Sequence, residues 1–463
     1  MMSTLPDFLP FPKHFRFGTA VAAFQVEGNS GKRNSDWDVF LRENPKIVKP
    51  NEVGPEWWKK GMAEGDIDLM AGLGMQTQRL SFEWARIEPE EGHINHDALR
   101  RYREIIDHLH KKKIMPVVTL NHYTLPEWIA RRGSWENPTI IHSFAKYVSV
   151  VAHEFGDIRI WLTLNEPGVL VEIGYLSPFF PPQREGLISA IKAHENLLKA
   201  HKKAYWVLKS FIPHSKVSIA FDFRWYRPQD PNDPFETWYA NIVDYFDSLN
   251  YVDGVKDTLD FIGCNFYAGY LLNFNLSKLK FRLHGSQTVP PRTILFGEVR
   301  KPHAYVSDLG APIVPGFFLE LLQFLSKRYH KPIIITENGI ADRRDLHRGF
   351  YLLVHLVAIW QAIQLGVDIR QYLVWSTVDN LEWLEGYRQE FGIVHVDAVT
   401  GKRTVRKSAH LYSDIISQRG IHIKKLLDEY VEGEQKERAA TLIHNLLTHH
   451  GKEAVKNVLP PQS

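Results

Sequence analysis

The chain has very little cysteine, no excess charge of either sign and no long hydrophobic run. Cys264 is the only cysteine among 463 residues, so no disulfide can form within the chain. The 56 Lys and Arg residues against 53 Asp and Glu give a formal net charge of +3, too small over this length to attract nucleic acid or an anionic membrane. No uncharged apolar run approaches the roughly 18 residues that a membrane-spanning helix needs. We therefore expect a soluble protein whose ligand is neutral or small.

Several targeting and catalytic signatures are also missing. The first residues, MMSTLPDFLPFPKHFRFG, carry prolines and charges where a signal peptide needs an unbroken apolar segment, which predicts a cytoplasmic protein. The sequence contains no H-E-x-x-H, G-x-S-x-G, P-loop or G-x-G-x-x-G motif. Histidine pairs such as His93/His96 or His449/His450 lack further ligands at metal spacing. We therefore expect neither a metal nor a cofactor.

Eight short β-rich runs recur along the chain, and most are followed by a stretch with helical periodicity. In the stretch 98–113, for example, apolar residues repeat at three- and four-residue spacing, which predicts a helix. Alternating strands and helices predict a parallel sheet, and eight such strands predict a single (β/α)₈ TIM barrel over residues 1–420, with long insertions. The predicted strands are 15–20, 76–82, 115–122, 158–165, 216–223, 260–267, 332–338 and 370–376.

The pattern of apolar and charged residues changes after residue 420. Two apolar clusters at helical spacing, separated by a charged run, predict two amphipathic helices within 421–463. We expect this helical tail to pack on the outside of the barrel or, alternatively, to form a subunit contact in a homo-oligomer. The two clusters are Leu426, Leu427, Tyr430, Val431 and Leu442, Ile443, Leu446, Leu447.

Polar or aromatic side chains stand at or just beyond the ends of most predicted strands, where packing alone gives no reason for them. The active site of a (β/α)₈ barrel lies at the C-terminal ends of its strands, so these side chains are expected to converge on one pocket. They are Gln25, Arg79, His122, Asn165, Glu166, Asn265, Tyr267, Glu337 and Trp375.

Two of these residues, Glu166 and Glu337, follow the fourth and seventh strands, and the barrel would bring them to opposite sides of one cavity. Paired carboxyl groups suit acetal cleavage, in which one protonates the leaving oxygen and the other attacks or activates water. Arg79 would keep Glu337 ionised and Tyr267 could donate a hydrogen bond to it, which predicts a nucleophile. No cation is evident near Glu166, and a desolvated carboxyl facing a second carboxylate acquires the raised pKa of a general acid.

Seven segments around these residues resemble, in order, the signature segments of glycoside hydrolase family 1, the β-glucosidase and β-galactosidase family. The resemblance extends from about residue 11 to about residue 417. It implies a retaining β-glycosidase in which Glu166 matches the acid/base and Glu337 the nucleophile. The segments are FRFGTAVAAFQVEG (15–28), RLSFEWARIEPEEG (79–92), TLNHYTLPEW (119–128), TLNEP (163–167), DFIGCNFY (260–267), ITENG (335–339) and VWSTVDNLEWLEGY (374–387).

The resemblance also implies roles for the residues around the two carboxyl groups. Arg79 and Tyr267 match the residues that hold the nucleophile, and Asn265 is grouped with them. Trp375 is implied as the ring beneath the sugar. The implied hydrogen-bond partners of the sugar hydroxyls are Gln25, His122, Asn165, Glu382 and Trp383.

Two positions depart from the pattern of the family. Tyr123 stands where the family usually has Trp, and Glu390 stands where it commonly has a basic residue. The branch that hydrolyses 6-phosphoglycosides replaces the Glu-Trp pair with phosphate-binding Ser and Lys, whereas Glu382 and Trp383 are intact here and Glu390 would repel a phosphate.

The expected activity is therefore exo-hydrolysis of unphosphorylated β-D-glucosides, β-D-galactosides or related small β-glycosides through a covalent glycosyl-enzyme intermediate. Two alternatives stay open. A transglycosidase would use the same intermediate and deliver the sugar to an alcohol. A non-catalytic sugar-binding relative would be expected to lack one catalytic glutamate, and both are present.

Overall fold

Eight parallel strands close into a barrel in the computed structural model, which describes residues 5–28, 31, 33–273 and 305–448 and the backbone of 298–300. Each strand coincides with one predicted run, so the predicted (β/α)₈ barrel is confirmed. The barrel strands are β1 (Arg16–Ala20), β2 (Thr77–Ser81), β3 (Met115–Asn121), β4 (Ile160–Asn165), β5 (Lys216–Asp222), β6 (Ile262–Asn265), β7 (Ile333–Asn338) and β8 (Ile369–Trp375).

The strands follow one another around the barrel in chain order, and β8 closes the ring by pairing with β1. Three pairings are irregular near the C-terminal strand ends: β4 with β5 between Leu162 and Asn165, β7 with β6 between Ile335 and Glu337, and β7 with β8 between Ile335 and Asn338. Such irregularities re-aim the side chains that follow them. They occur on the two strands that lead to Glu166 and Glu337.

Helices cover the outside of the barrel. Helix His96–Lys111 confirms the helix predicted over 98–113; the Asn95 side chain caps it by accepting from two backbone N–H groups, and its apolar residues are buried. The longer helices are Asp36–Glu43, Met62–Gly72, His96–Lys111, Ile140–Glu154, Leu187–Phe211, Pro234–Asp244, Pro315–Tyr329, Arg348–Gln364, Lys407–Gln418, Ile423–Tyr430 and Glu434–Thr448. None of the helices in the described part of the chain is long and apolar enough to cross a membrane.

Shorter elements fill the connections. The short α-helices are Ala23–Val26, Trp84–Ile87, Glu127–Ala130, Pro167–Val171 and Asn250–Val255. Single turns of other helix types are Ser134–Glu136, Glu172–Leu176, Tyr245–Leu249, Lys256–Thr258 and Trp383–Glu385. The strands outside the barrel are Phe8–Pro10, Trp225–Pro228, Gly269–Asn273, Glu298–Arg300, Val394–Val396, Arg403–Val405 and Gly420–His422.

The C-terminal segment contributes two helices that lie against the barrel helix Arg348–Gln364. Helix Glu434–Thr448 buries Ile443 and Leu446, and helix Ile423–Tyr430 buries Leu426 and Leu427. The domain boundary at residue 420 and a subunit contact through this segment stay predictions. Residues 449–463 lie outside the described part of the chain.

Candidate active site

Glu166 stands where β4 turns into a short helix. Pro167 occupies the first position of helix Pro167–Val171, where a fixed φ and a missing N–H are tolerated, and this ends the strand. Glu166 has a left-handed backbone with φ 41°, and its N–H donates to the Ala220 carbonyl at 2.7 Å. A left-handed residue other than glycine costs about 1–3 kcal/mol, so the surrounding structure must hold it in place.

Glu337 lies at the end of β7 and is anchored by the two residues that follow it. Asn338 Nδ2 donates to the Phe266 carbonyl at 2.6 Å. A Cβ on Gly339 would lie 1.8 Å from the Trp375 carbonyl oxygen, so only glycine fits there. In the sequence Glu-Asn-Gly, the carboxylate faces the cavity while the amide and the glycine fix the strand end.

Two donors hold the Glu337 carboxylate, and one of them is a cation. Arg79 Nη1 donates to Glu337 Oε1, and the Tyr267 hydroxyl donates to Oε2 at 2.6 Å. Arg79 is fully buried, and its Nε also donates to Thr119 Oγ1 at 2.9 Å. Burial raises the pKa of the Glu337 carboxyl, and Arg79 and Tyr267 oppose that rise by stabilising its charged form.

Two donors also hold the Glu166 carboxyl, and neither carries a charge. The Tyr123 hydroxyl donates to Glu166 Oε2, and Asn265 Nδ2 donates to Oε1 at 2.7 Å. Burial raises the pKa of Glu166 to about 8, and the neighbouring carboxylates of Asp222 and Glu337 add to the rise. A carboxyl that keeps its proton at neutral pH has the property that a general acid requires.

Asn265 does not take the position that the sequence predicts. The prediction groups it with the residues that hold Glu337, but its Nδ2 donates to Glu166 Oε1 at 2.7 Å and to Asn165 Oδ1 at 3.3 Å. The pairing of β7 with β6 is irregular between Ile335 and Glu337, so the side chains at the two strand ends point to different partners. Asn265 therefore supports the opposite carboxyl from the one predicted.

Asn165 connects the surroundings of the two carboxyl groups. Its Oδ1 accepts from Arg79 Nη2 at 2.7 Å and from Asn265 Nδ2 at 3.3 Å, while its Nδ2 donates to His122 Nε2 at 3.2 Å. Burial and the Arg79 charge hold the pKa of His122 well below its usual value, so the ring is neutral. With Nε2 accepting, the hydrogen-bond network assigns the ring proton to Nδ1.

Two buried polar atoms beside the cavity have no hydrogen-bond partner among the described residues: His122 Nδ1 and Gln25 Oε1. The amide nitrogen of Gln25 is satisfied by the Leu381 carbonyl at 2.7 Å and lies 3.5 Å from Glu382 Oε2. A buried polar group without a partner costs about 1–3 kcal/mol. One unpaired donor and one unpaired acceptor suit a ligand whose hydroxyls can both donate and accept.

The cavity itself has a volume of about 320 Å³ and lies at the C-terminal ends of the barrel strands. Among the predicted sugar contacts, His122, Asn165, Trp375, Glu382 and Trp383 line it, and Gln25 lies next to Glu382. The His122 ring stacks between Trp375 and Trp383, with ring centroids 6.0 and 6.1 Å apart and planes within 16°. Burial and the nearby Glu337 raise the pKa of Glu382 to about 8.

The sequence prediction missed Asp222, which ends β5 and lines the cavity beside Glu166. Strand β5 is the one barrel strand whose end carries no residue in the predicted set. The rule applied to the other seven strands, a polar residue at a strand end, would have found it. The prediction also missed a group of apolar residues that line the same cavity, which comprises Val169, Ile173, Phe179, Phe180, Leu309 and Ala311.

Glu390 is buried in a charge cluster and is not among the residues that line the cavity. Arg343 Nε donates to it at 2.9 Å, and Arg406 donates to both Glu390 and Asp379. Its charge is therefore balanced, and repulsion of a substrate phosphate by Glu390 has no structural basis. With His395, these carboxylates have the spacing of a cation site, but Arg406 already supplies the positive charge.

Comparison with known proteins agrees with this architecture. The sequence model of "Glycosyl hydrolase family 1" matches residues 9–252 and 247–421. Beta-glucosidase A of Thermotoga maritima is 32% identical over 460 residues, which cover 89% of this chain and 98% of that protein. The beta-galactosidase of Pyrococcus woesei is 28% identical, over 91% of this chain and 100% of that protein.

Solved structures are similar over the same length. The beta-glucosidase from Thermotoga maritima in complex with glucoimidazole gives a TM-score of 0.80 at 30% identity, covering 89% of this chain and 100% of that one. The beta-glycosidase from Pyrococcus horikoshii gives a TM-score of 0.80 at 33% identity, covering 93% and 100%. On the family match, these identities and the barrel with its paired carboxyl groups, the chain belongs to glycosyl hydrolase family 1.

Proposed function

We propose that this glycoside hydrolase is a retaining exo-β-glycosidase in which Glu337 is the nucleophile and Glu166 the acid/base. The observation that carries the proposal is the contrast between two buried carboxyl groups that line one cavity. Glu337 receives a guanidinium, whereas Glu166 receives only neutral donors and faces Asp222. One group is thus stabilised as an anion and the other as an acid, which is the pairing that glycoside hydrolysis uses.

The first step breaks the glycosidic bond. The Glu337 carboxylate attacks the anomeric carbon, and Glu166 transfers its proton to the departing oxygen, so that an alcohol leaves and a glycosyl ester of Glu337 forms. Arg79 and Tyr267 position the attacking carboxylate. Direct attack requires the two carboxyl groups to lie about 5–5.5 Å apart, without room for a water between them.

The second step releases the sugar. Glu166, now a carboxylate, takes a proton from water as the water oxygen attacks the anomeric carbon and the ester bond to Glu337 breaks. Two inversions at the same carbon give net retention. The proton returns to Glu166, so both groups end in the states in which they began.

Hydrogen bonds from polar side chains would hold the sugar hydroxyls, and an aromatic side chain would pack against one face of the sugar ring. His122 Nδ1 and Gln25 Oε1 are buried without partners, so sugar hydroxyls would satisfy them. Glu382 lies beside Gln25 and supplies further acceptors, and Trp375 supplies an aromatic face for the C–H side of the ring. Glu382 with Trp383 in place of a phosphate-binding pair supports unphosphorylated β-glucosides and β-galactosides.

The apolar residues that line the cavity support small aglycones rather than a polymer chain. Acceptor choice in the second step decides between hydrolysis and transglycosylation, and both use the residues named above. The proposal includes the cytoplasm as the compartment. A homo-oligomer involving residues 421–463 is likewise a proposal.

A panel of aryl β-glycosides tests the function: gluco, galacto, fuco, manno, xylo and glucuronide. We expect turnover of glucosides or galactosides, with the β-anomer of the sugar formed first in a proton NMR time course. Added methanol would divert product to a methyl glycoside in a transglycosidase. An enzyme that forms the α-anomer first would contradict retention, and a chain that binds these sugars without turnover would be the non-catalytic relative.

A further inference from the structure

Tyr123 occupies an unusual position for a large side chain. It follows His122 at the turn after β3 and has a left-handed backbone with φ 72°. Its ring is 5% exposed and packs edge-on against Trp383, Phe180 and His122, with centroids 5.1 to 5.8 Å apart. A strained backbone persists only when the surroundings determine it, so these three rings fix where the Tyr123 hydroxyl points.

That hydroxyl points at the carboxyl group of Glu166. It donates to Glu166 Oε2, while Asn265 Nδ2 donates to Oε1 at 2.7 Å. Both oxygens are therefore fixed, by donors that come from different strands of the barrel. The phenol also stays protonated, because burial raises the pKa of Tyr123 well above its usual value and the charge of Glu166 raises it further.

We propose that Tyr123 is a positioning residue for the acid/base, whose hydroxyl holds the Glu166 carboxyl toward the glycosidic oxygen and limits how strongly the group retains its proton. The inference rests on the proposed function, since it concerns the step in which Glu166 protonates the leaving group. It assigns a purpose to the position at which this sequence departs from the usual Trp of the family.

The electrostatic surroundings of Glu166 explain why such a donor is needed. Burial, Asp222 on β5 and Glu337 on β7 all raise the pKa of Glu166, whereas the hydrogen bonds from Tyr123 and Asn265 lower it. Arg79 is bonded to Glu337 and to Asn165, and Arg224, which lines the same cavity, forms ion pairs with Asp222 and Glu172. The two neutral donors therefore oppose the effect of burial and of the neighbouring carboxylates on the pKa of Glu166.

Tyr123→Phe removes only the hydroxyl and keeps the ring that packs on Trp383. The basic limb of the pH profile of kcat/KM reports the loss of the proton from Glu166. Removing a hydrogen bond that stabilises the charged form of Glu166 raises its pKa. We therefore expect the basic limb to move to higher pH by about one unit, the shift that one charge-assisted hydrogen bond produces. Turnover of phenyl β-glycosides should fall more than that of 2,4-dinitrophenyl β-glycosides, which need no proton.

Two matched variants locate the effect. Tyr267→Phe removes the same atom from the donor to Glu337, so it should move the acid limb upward and leave the basic limb in place. Tyr412→Phe removes a buried hydroxyl whose hydrogen bonds, within the described residues, are to backbone groups of β1 and β8, so neither limb should move. Glu382 also titrates at about pH 8, but a limb caused by Glu382 would be the same for both leaving groups.

A second substitution at position 123 is expected to move the basic limb of the pH profile in the opposite direction. 3,5-Difluorotyrosine, incorporated at position 123 alone, is a stronger donor of nearly the same shape. It should move the basic limb to lower pH, and it keeps the proposal testable if Tyr123→Phe fails to fold.

The proposal is overturned if the basic limb stays in place, or moves in the same direction, for both substitutions. It is also overturned if phenyl and dinitrophenyl substrates lose turnover equally, since that would indicate a packing role. Wild-type turnover of the aryl β-glycosides separates this failure from failure of the proposed function. If the wild type hydrolyses them and Tyr123→Phe leaves the pH profile unchanged, only the role of Tyr123 is wrong.

Discussion

The surroundings of Glu166 and Glu337 are similar but differ in the charge of one donor. Glu166 directly follows β4 and Glu337 is the penultimate residue of β7; both are buried, and each accepts one hydrogen bond from a tyrosine hydroxyl. The second donor is the Arg79 guanidinium at Glu337 and a neutral amide at Glu166. Neither burial nor the number of hydrogen bonds distinguishes the two groups, so the placement of one cation assigns their proposed roles.

The largest expected effect comes from removing the acid/base. Glu166→Ala should lower kcat/KM by about 10²–10⁴-fold on phenyl or alkyl β-glycosides, which is the range of general acid catalysis. The first step with 2,4-dinitrophenyl β-glycosides should change little, because that leaving group departs unprotonated. Stopped-flow measurement of the aryl burst separates the two steps. Equal losses in the first step for both leaving groups would show that Glu166 does not act as the acid.

Removing the cation should erase the difference between the two carboxyl groups. In Arg79→Gln the opposing charge is lost, so burial raises the pKa of Glu337 and the acid limb of kcat/KM moves upward by about one to three units. Below that limb Glu337 is protonated and cannot attack. Urea unfolding should show a loss of about 3–5 kcal/mol, because a buried carboxylate is left without its partner. An acid limb that stays in place would mean that Arg79 does not hold Glu337 ionised.

The smallest expected effect concerns Glu382, a half-buried carboxyl that lines the same cavity. Because an unpaired buried group costs about 1–3 kcal/mol, Glu382→Ala should change the ratio of glucoside to galactoside kcat/KM by about tenfold. Glu429→Ala, which removes an exposed carboxylate from helix Ile423–Tyr430 and is not among the residues that line the cavity, serves as the control and should leave the ratio unchanged. A ratio that is constant across the glycone panel in Glu382→Ala would show that this residue does not select the sugar.

Much of this arrangement can be read from the sequence because the barrel is regular. Buried strands appear in the sequence as apolar runs. Polar residues at their C-terminal ends face one pocket, irrespective of the conformations of the connecting loops. Glu166, Glu337, Arg79 and Tyr267 were identified on that basis, and the structure brings them together.

The sequence predictions are wrong or incomplete where the position of a residue along the chain does not determine which neighbour its side chain contacts. Asn265 faces Glu166 instead of Glu337 because the strand pairing is irregular just before Glu337. The bond from Tyr123 to Glu166 depends on a left-handed backbone and on three neighbouring rings, none of which leaves a pattern in the sequence. The sequence suggests a free charge at Glu390, but Arg343 and Arg406 both donate to its carboxylate in the fold and balance that charge.

The stereochemistry of azide rescue tests the assignment of the two roles most directly. Glu337→Gly removes the attacking group and leaves space for a small anion, so azide with an activated aryl β-glycoside should give the α-glycosyl azide by a single inversion. Glu166→Ala keeps the nucleophile, and the same reaction should give the β-glycosyl azide by two inversions. Proton NMR of the two products distinguishes them. The account predicts opposite configurations in this order; the reverse pairing would exchange the two residues, and a β product from both variants would show that Glu337 is not the nucleophile.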